Sequence, residues 1–415
     1  MSTVVRESAT TQAPTTALAS AFDCPRRVEL LRVDGVLPVG LEGLFMQASP
    51  HPAAARRLSH PDLDGGPCVM SGIWLNSGTA RWYRAATEHT STGLFGSIPA
   101  LAPAVDLGRH GPDRRCQTAI ARPVVDPAGR WHTVATYPGL GYAEHLIADS
   151  DGTVLHARPF PLDGSPLISS VALTESHVVL FDLPVVFNRA AAMVGQRFPY
   201  VWQPGRQASV GLLPRTGTDP RVRWFPIEPC HVSDIVNAYQ DGPNVIVDAV
   251  SRPRAFERET PAERPAPMLR RWTIDQVTGQ VLVRQLAPAV ETAVVDGRFS
   301  GTHHRFLYGT RTTSGGAALV RHDTATGRTV VRQFGEGTLV GRPQFVARQG
   351  AEEGDGFVVA LVERVAQRRS ELVVLDALDI AGPPRAVVHI PVDLRAVRRT
   401  VWYPAPVAAP RWHHH

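Results

Sequence analysis

Lysine is absent from this 415-residue sequence, so all 43 basic side chains are arginine. This absence excludes Schiff-base and lysine general-base chemistry, because both need a primary amine on a side chain. The formal net charge of +5 is spread along the chain rather than gathered into a run. A nucleic-acid-binding surface usually shows clustered basic residues, so the sequence does not indicate a nucleic acid as a partner.

Cysteine is scarce and long apolar runs are missing. The four cysteines, at positions 24, 68, 116 and 230, are too widely spaced for a paired-cysteine metal or redox motif. They are typical of reduced structural thiols, so we expect a cytoplasmic protein. Residues 1–21 lack the apolar region of a secretory signal, and no stretch approaches the ~20 apolar residues of a membrane span.

Helical periodicity is scarce as well. Short β-rich runs recur instead, and several precede Asp/Gly turns such as 149–152, 275–279 and 323–327. This alternation predicts antiparallel hairpins within one all-β domain over residues 25–404, between tails at 1–24 and 405–415. Composition alone leaves a propeller and a sandwich open. The runs predicted as strands include 130–136, 177–183, 244–250, 270–274, 357–362 and 371–375.

One irregular segment, residues 188–206, carries an apolar patch and three aromatic side chains. It is either a loop that caps the core or the apolar mouth of a ligand tunnel. In the second interpretation its side chains contact a hydrophobic small molecule, together with Phe187 just before the segment and His231 further along the chain. The predicted substrate-binding residues are Phe187, Met193, Phe198, Tyr200, Trp202 and His231.

The order of several short motifs resembles that of the carotenoid cleavage dioxygenases. The clearest is Ala172-Leu-Thr-Glu-Ser-His-Val-Val-Leu-Phe-Asp-Leu-Pro-Val-Val-Phe187, and an opening Leu37-Pro-Val-Gly-Leu-Glu-Gly-Leu44 precedes it. Each motif is weak alone, but the series in correct order is specific. Others are Pro123-Val-Val-Asp-Pro-Ala-Gly129, Trp224-Phe-Pro-Ile-Glu-Pro-Cys230, Asn237-Ala-Tyr-Gln-Asp-Gly242, Leu269-Arg-Arg-Trp-Thr-Ile274, Arg342-Pro-Gln-Phe-Val346 and Ser370-Glu-Leu-Val-Val-Leu-Asp376.

This resemblance implies a seven-bladed β-propeller with a loop cap over an axial tunnel. The chain is shorter than the family pattern between positions 86 and 123, so one early blade is expected to be trimmed or remodelled. By analogy with the family, the apolar rim at residues 189–202 is compatible with peripheral membrane contact. The sequence leaves the oligomeric state open.

The family holds a catalytic iron on four histidines, and the matching positions here carry other residues. They are Arg122, Ser169, Asp234 and, at the fourth position, either Arg398 or Arg399. The resemblance places Arg122, Asp234 and Arg398 or Arg399 at the axis, where we expect an ion-pair cluster that either only closes the centre or acts on a substrate. His231 lies three positions before Asp234, so on a regular strand it is expected to face the opposite side. The resemblance also implies glutamates that orient the histidines: Glu291 matches one of them, and Arg342 replaces another. At an effective dielectric of ~20, two unit charges 4 Å apart interact by roughly 4 kcal/mol, so two guanidiniums at this place would repel a divalent ion. We therefore expect no metal cofactor.

Three functions remain open. The first is a metal-independent enzyme of specialised metabolism that cyclises, isomerises or rearranges a polyene, terpenoid or polyketide-like chain. Its predicted catalytic residues are Arg122 as a donor to a carbonyl or enolate, Asp234 as general base or proton relay, and Ser169, Glu291, Arg398 and Arg399. The second is a non-catalytic binding protein for an apolar ligand. The third is a residual dioxygenase that cleaves a C=C bond.

Overall fold

The computed structural model describes residues 28–50, 68–85, 119–150, 152–196, 198–217, 220–256, 265–390, 394 and 400–405. These residues form β-structure almost throughout, with one short helix, α1 (Arg189–Met193), and two 3-10 turns, Gly297–Phe299 and Val365–Gln367. The expected tails fall almost wholly outside the described residues, as does most of the shortened region between 86 and 123.

The strands are numbered in the order in which they occur along the chain. They are β1 (Val28–Leu30), β2 (Arg32–Gly35), β3 (Gly43–Pro50), β4 (Cys68–Asn76), β5 (Thr79–Ala85), β6 (Ala119–Ile120), β7 (Val124–Val125), β8 (Trp131–Thr136), β9 (Tyr142–Ala148), β10 (Val154–Pro161), β11 (Ala172–Leu173), β12 (His177–Asp182), β13 (Val185–Phe187), β14 (Tyr200–Trp202), β15 (Ala208–Pro214), β16 (Arg223–Ile227), β17 (His231–Asp241), β18 (Asn244–Arg252), β19 (Met268–Asp275), β20 (Val281–Pro288), β21 (Val290–Val294), β22 (Phe306–Thr313), β23 (Gly316–Asp323), β24 (Thr329–Gln333), β25 (Thr338–Val340), β26 (Gln344–Ala347), β27 (Gly356–Arg364), β28 (Arg369–Asp376), β29 (Ala386–Ile390) and β30 (Thr400–Pro404).

Within the described residues these strands make six sheets of four or more strands and one two-stranded sheet, β13-β14. The first sheet has the order β1-β5-β4-β3-β30, and the second has β10-β9-β8-β6 with β7 also on β8. The third is β11-β12-β15-β16, the fourth β17-β18-β19-β20 and the fifth β21-β22-β23-β24. The sixth is β2-β29-β28-β27-β25, with β26 also on β27. The predicted number of seven blades stays a prediction.

The two ends of the chain interlock. Strand β2, near the start, completes the sixth sheet by pairing with β29, and β30, near the end, completes the first sheet by pairing with β3. Each of these pairings joins residues that are more than 300 positions apart in sequence. Such an exchange closes a series of sheets into a ring, so neither end sheet is left without a partner.

Apolar side chains fill the spaces between successive sheets. Phe181 of the third sheet meets Trp272 of the fourth edge to face at 5.6 Å, and Tyr308 of the fifth stacks on Phe345 of the sixth at 5.3 Å. Leu269 and Leu307 join the fourth and fifth sheets in one buried cluster. Full burial of a large apolar side chain contributes roughly 1.5–3 kcal/mol, so these contacts carry much of the stability of the ring.

The predicted strand and turn pattern is confirmed. Each of the six predicted runs coincides with a strand, and no end differs by more than two residues. In the predicted turns, the amide of Gly279 donates to the carbonyl of Asp275 at 2.9 Å and that of Gly327 to Asp323 at 2.8 Å. Both glycines adopt positive φ, 76° and 73°, a conformation that costs glycine least.

Two further expectations concern the cysteines and membrane-spanning segments. Burial raises the pKa of the Cys230 thiol to about 12, so this cysteine is inert and structural. In the part of the chain that the structure describes, no helix is long and apolar enough to cross a membrane.

Candidate functional site

One edge of each sheet lies next to an edge of its neighbour. Hydrogen bonds link the second, third and fourth sheets and, separately, the fifth, sixth and first, and β17 of the fourth sheet packs against β21 of the fifth. These edges therefore line a common centre. The links are Arg122 N to Ser169 O at 3.0 Å, Ile235 N to Ser170 Oγ at 3.3 Å, Arg342 Nη2 to Ala293 O at 3.0 Å, and Thr400 Oγ1 to Arg342 O at 2.9 Å.

Three charged side chains meet at this centre, and we call them the hub: Arg122, Asp234 and Arg342. Nη2 of Arg122 donates to Oδ1 of Asp234, and Nη1 of Arg342 donates to Oδ2 of the same carboxylate. Asp234 lies on β17 of the fourth sheet, whereas Arg122 lies between β6 and β7 of the second and Arg342 between β25 and β26 of the sixth. The ion pairs therefore join sheets that are not consecutive along the chain. The predicted association of Arg122 with Asp234 is therefore present in the structure, with Arg342 as a third member.

The two arginines of the hub differ in exposure. The side chain of Arg122 is 44% exposed, whereas those of Arg342 and Asp234 are 16% and 8% exposed. Burial lowers the pKa of Arg342, but a guanidinium starts from a pKa so high that it stays charged at neutral pH. The hub thus carries one more positive than negative charge, and its positive excess is most accessible at Arg122.

The described hub residues do not fit a ferrous ion. Such an ion needs neutral imidazole or carboxylate donors, and here two guanidiniums occupy both oxygens of the one carboxylate. Among the described residues, no group of three or more His, Cys, Asp and Glu side chains is arranged to hold a metal. Arg398 and Arg399, the two alternatives for the fourth family position, lie outside those residues.

His231 lies on the same face as Asp234. Three positions separate them, which on a regular strand places them on opposite faces. However, β17 has a bulge at Ser233: His231 pairs with Arg252 and Asp234 with Val250, two positions apart on β18. The extra residue reverses the alternation. The expectation that His231 faces away from the Asp234 position is therefore wrong.

An aromatic cluster begins at His231. Its ring packs edge to face on Phe256 at 5.0 Å, and Phe256 lies 5.1 Å from Phe198. Phe198 in turn lies 5.3 Å from Tyr200, which meets Phe187 edge to face at 5.8 Å. Offset and edge-to-face pairs are the favoured arrangements of aromatic rings. Four predicted substrate-binding residues therefore belong, with Phe256, to one aromatic cluster.

Of the two remaining predicted binding residues, Trp202 lies at the aromatic cluster and Met193 at the surface. Trp202 is half-buried and packs against the cluster. Met193 ends helix α1 and is 80% exposed, so the structure does not bring it to the cluster. The segment 188–206 is more regular than expected, because it contains α1 and β14, and β14 pairs with β13 through Phe187 and Tyr200.

The other predicted catalytic residues flank the hub. Ser169 accepts the Arg122 amide through its carbonyl, and its hydroxyl lies 3.5 Å from the carbonyl of Val232. Glu291 is half-buried at a bulge in β21, two residues before the carbonyl that accepts from Arg342. Ser169 thus positions backbone around the hub.

Sequence reasoning missed two members of the site. Arg342 was noted only as the replacement of a glutamate, although a charge reversal beside two other changed positions could have indicated a compensating ion pair. Phe256 lies in a segment rich in Arg, Glu and Pro and has a φ of +60°. Nothing in that composition indicates that its ring turns inward to meet His231.

Comparison with known proteins fits this architecture. The family model described as retinal pigment epithelial membrane protein matches residues 99–398. The chain therefore belongs to this family, together with the carotenoid cleavage oxygenases. The carotenoid cleavage oxygenase of Mycobacterium tuberculosis is 27% identical, over 91% of this chain and 93% of that relative. Isoeugenol monooxygenase of Pseudomonas nitroreducens is 24% identical, over 95% and 97% of the two chains.

Solved structures show the same fold. Lignostilbene dioxygenase of Pseudomonas brassicacearum has a TM-score of 0.76 at 23% identity, over 91% of this chain and 95% of that one. A Synechocystis apocarotenoid oxygenase variant has a TM-score of 0.76 at 19% identity, over 95% of this chain and all of that one. The all-β ring is therefore a carotenoid-oxygenase propeller.

Proposed function

We propose that this chain is a metal-independent enzyme that rearranges a hydrophobic polyene, terpenoid or polyketide-like substrate in specialised metabolism. The observation that supports it is the hub, where arginines from two sheets hold the two oxygens of Asp234. The matched relatives are named as oxygenases of carotenoids, lignostilbenes and isoeugenol. An apolar, unsaturated substrate suits both those names and the aromatic cluster beside the hub.

The proposed reaction uses Arg122 as a fixed hydrogen-bond donor. Its guanidinium would polarise a carbonyl or enolate oxygen while the aromatic cluster folds the unsaturated chain. Substrate and product are isomers, so the step needs no oxidant, reductant or leaving group. Asp234 and Arg342 would hold the donor in place, because both oxygens of that carboxylate already accept from arginine.

A direct test uses purified, chelator-treated protein whose metal content has been measured. The protein is incubated with an extract of its host from which the gene has been deleted, and mass spectrometry follows the products. We expect a product of unchanged mass with altered retention or absorbance from the wild type, and none from Arg122→Gln. Arg305→Gln is the matched control, since Arg305 also pairs with one aspartate and is 48% exposed.

Two other outcomes identify the competing functions. Recovery of an apolar ligand bound but unaltered would favour a binding protein, a role the aromatic cluster also supports. Oxygen consumption with cleavage of a stilbene or apocarotenoid, at about one iron per chain, would favour a residual dioxygenase. Either outcome would contradict the proposed rearrangement.

A further inference from the structure

We infer that the hub recognises an anionic oxygen, most simply a carboxylate, at the head of an otherwise apolar ligand, and that Arg122 makes the contact. This inference rests on the proposed function for the presence of an apolar ligand, and it adds the charge and the position of that ligand's polar end.

The first step is the charge of the hub. Two guanidiniums share one carboxylate, so one positive charge has no counterpart within the hub. Arginine side chains carry a positive charge in proteins at neutral pH. A neutral ligand would leave this excess uncompensated, whereas a carboxylate would balance it.

The second step is the difference in hydrogen bonding and exposure between Arg122 and Arg342. Arg342 donates to Asp234 and to the carbonyl of Ala293, and its own carbonyl accepts from Thr400. Within the part of the chain that the structure describes, the guanidinium of Arg122 donates to Asp234 alone. Arg122 therefore keeps both exposed surface and N–H groups for an incoming acceptor, and Arg342 does not.

The third step is the position of the aromatic cluster relative to the hub. Ala119, three residues before Arg122, belongs to the same buried cluster as Phe198 and Tyr200. From the other side, His231 shares the face of Asp234 and packs on Phe256. Two separate segments thus tie the hub to the aromatic cluster, so a ligand lying on the rings could place one end at Arg122.

The geometry of guanidinium favours a carboxylate over other polar ends. Its planar fork of N–H groups matches the two oxygens of a carboxylate, and hydrogen bonds between ionised partners are the stronger class. A phenolate or enolate oxygen could accept one of these bonds. A hydroxyl or ester offers no charge to balance the hub.

The experiment compares cis-parinaric acid, a fluorescent polyene carboxylate, with its methyl ester, which has the same chain without the charge. Each is titrated into the full-length protein at pH 7.5, and binding is followed by the rise in polyene fluorescence. We expect the acid to bind roughly 10- to 100-fold more tightly than the ester, as for a hydrogen bond to a charged group. Arg122→Gln should remove this preference, Arg122→Lys should keep part of it, and Arg305→Gln should leave it unchanged.

The outcomes separate the two proposals. Equal binding of acid and ester to the wild type would overturn the anionic head group while leaving an apolar binding site intact. Binding of neither probe would contradict the apolar site of the proposed function and this inference with it. Circular dichroism confirms that each variant is folded, and loss of the acid preference in folded Arg305→Gln would also count against a specific role for Arg122.

Discussion

The hub and a second charged group, the Asp248 cluster, each join one carboxylate to two basic side chains. The two groups differ in how far these side chains are exposed to solvent. The Asp248 cluster consists of Asp248, Arg271, His304 and Asn237. Arg271 contacts both oxygens of Asp248 at 2.7 Å, and Nε2 of His304 lies 2.9 Å from Oδ2. Nδ1 of His304 lies 2.9 Å from the amide of Asn237.

The charged side chains of the Asp248 cluster are almost completely shielded from solvent. Asp248 and His304 are fully buried, and the side chain of Arg271 is 13% exposed. Asn237 also donates to the carbonyls of Phe299 and Thr302, so the cluster fixes the turn that precedes the fifth sheet's β22. A buried, hydrogen-bonded group of this kind is structural, whereas the hub presents a half-exposed guanidinium to its surroundings.

The largest effect is expected from Asp248→Ala. The change leaves Arg271 and His304 without their acceptor in a buried place, and removal of one partner of a buried pair costs about 3–5 kcal/mol. Urea denaturation measures the lost free energy of unfolding. Asp248→Asn keeps the shape and should lose less; a loss below about 1 kcal/mol for Asp248→Ala would contradict a structural role.

Asp234→Ala should destabilise less than Asp248→Ala. It leaves two guanidiniums unpaired, but Arg122 is 44% exposed and can be hydrated, so we expect a loss of about 2–3 kcal/mol, below the range for a fully buried pair. The double variant Arg122→Gln/Asp234→Ala should recover part of the loss, because contacting residues couple by about 0.5–3 kcal/mol. Additive losses in this cycle, measured by denaturation, would show that the hub is not coupled.

Acid should weaken a second buried group, in which His132 and His145 lie 3.0 Å apart and His132 contacts Asp126 at 3.2 Å. Burial lowers the pKa of both histidines, that of His145 to about 3. The unfolded chain then binds more protons below about pH 6.5. Stability should therefore be full well above that pH and fall towards pH 3, by up to about 1.4 kcal/mol per pH unit from His145. The lowered pKa of His132 acts in the same direction.

The matched variant for this pH dependence is His145→Gln. It should lower stability at pH 7.5 but flatten the slope between pH 6.5 and 4.5 in denaturation experiments. A slope equal to that of the wild type would show that His145 does not cause the acid sensitivity.

The smallest stability effect is expected from Arg122→Gln. A partly exposed ion pair contributes about 0–1 kcal/mol, so the thermal midpoint should change little, as in Arg305→Gln. Only Arg122→Gln should impair turnover or ligand binding. A large loss of stability would instead indicate that Arg122 has a structural role like that of the Asp248 cluster.

The sequence predicted local structure better than long-range contacts. Asp275 and Gly279 form their turn within five residues, so composition was sufficient there. The contact of Arg122 with Asp234 spans 112 positions and was foreseen only from the family register. The link from Arg342 spans 108 positions, and no local pattern specifies it.

Irregular backbone accounts for the remaining differences. The bulge at Ser233 adds one residue to β17, and no glycine or proline at that position signals it. His231 was therefore assigned to the wrong face. Phe256 was missed because its inward position depends on a positive φ rather than on strand alternation.

The most direct test of the central claim measures ferrous binding by the chelator-treated protein, titrated anaerobically against a chromophoric competitor. With two guanidiniums on Asp234, we expect the wild type to compete no better than Asp234→Ala. One ion bound per chain, and lost in Asp234→Ala, would contradict the account and restore the hub as a metal centre.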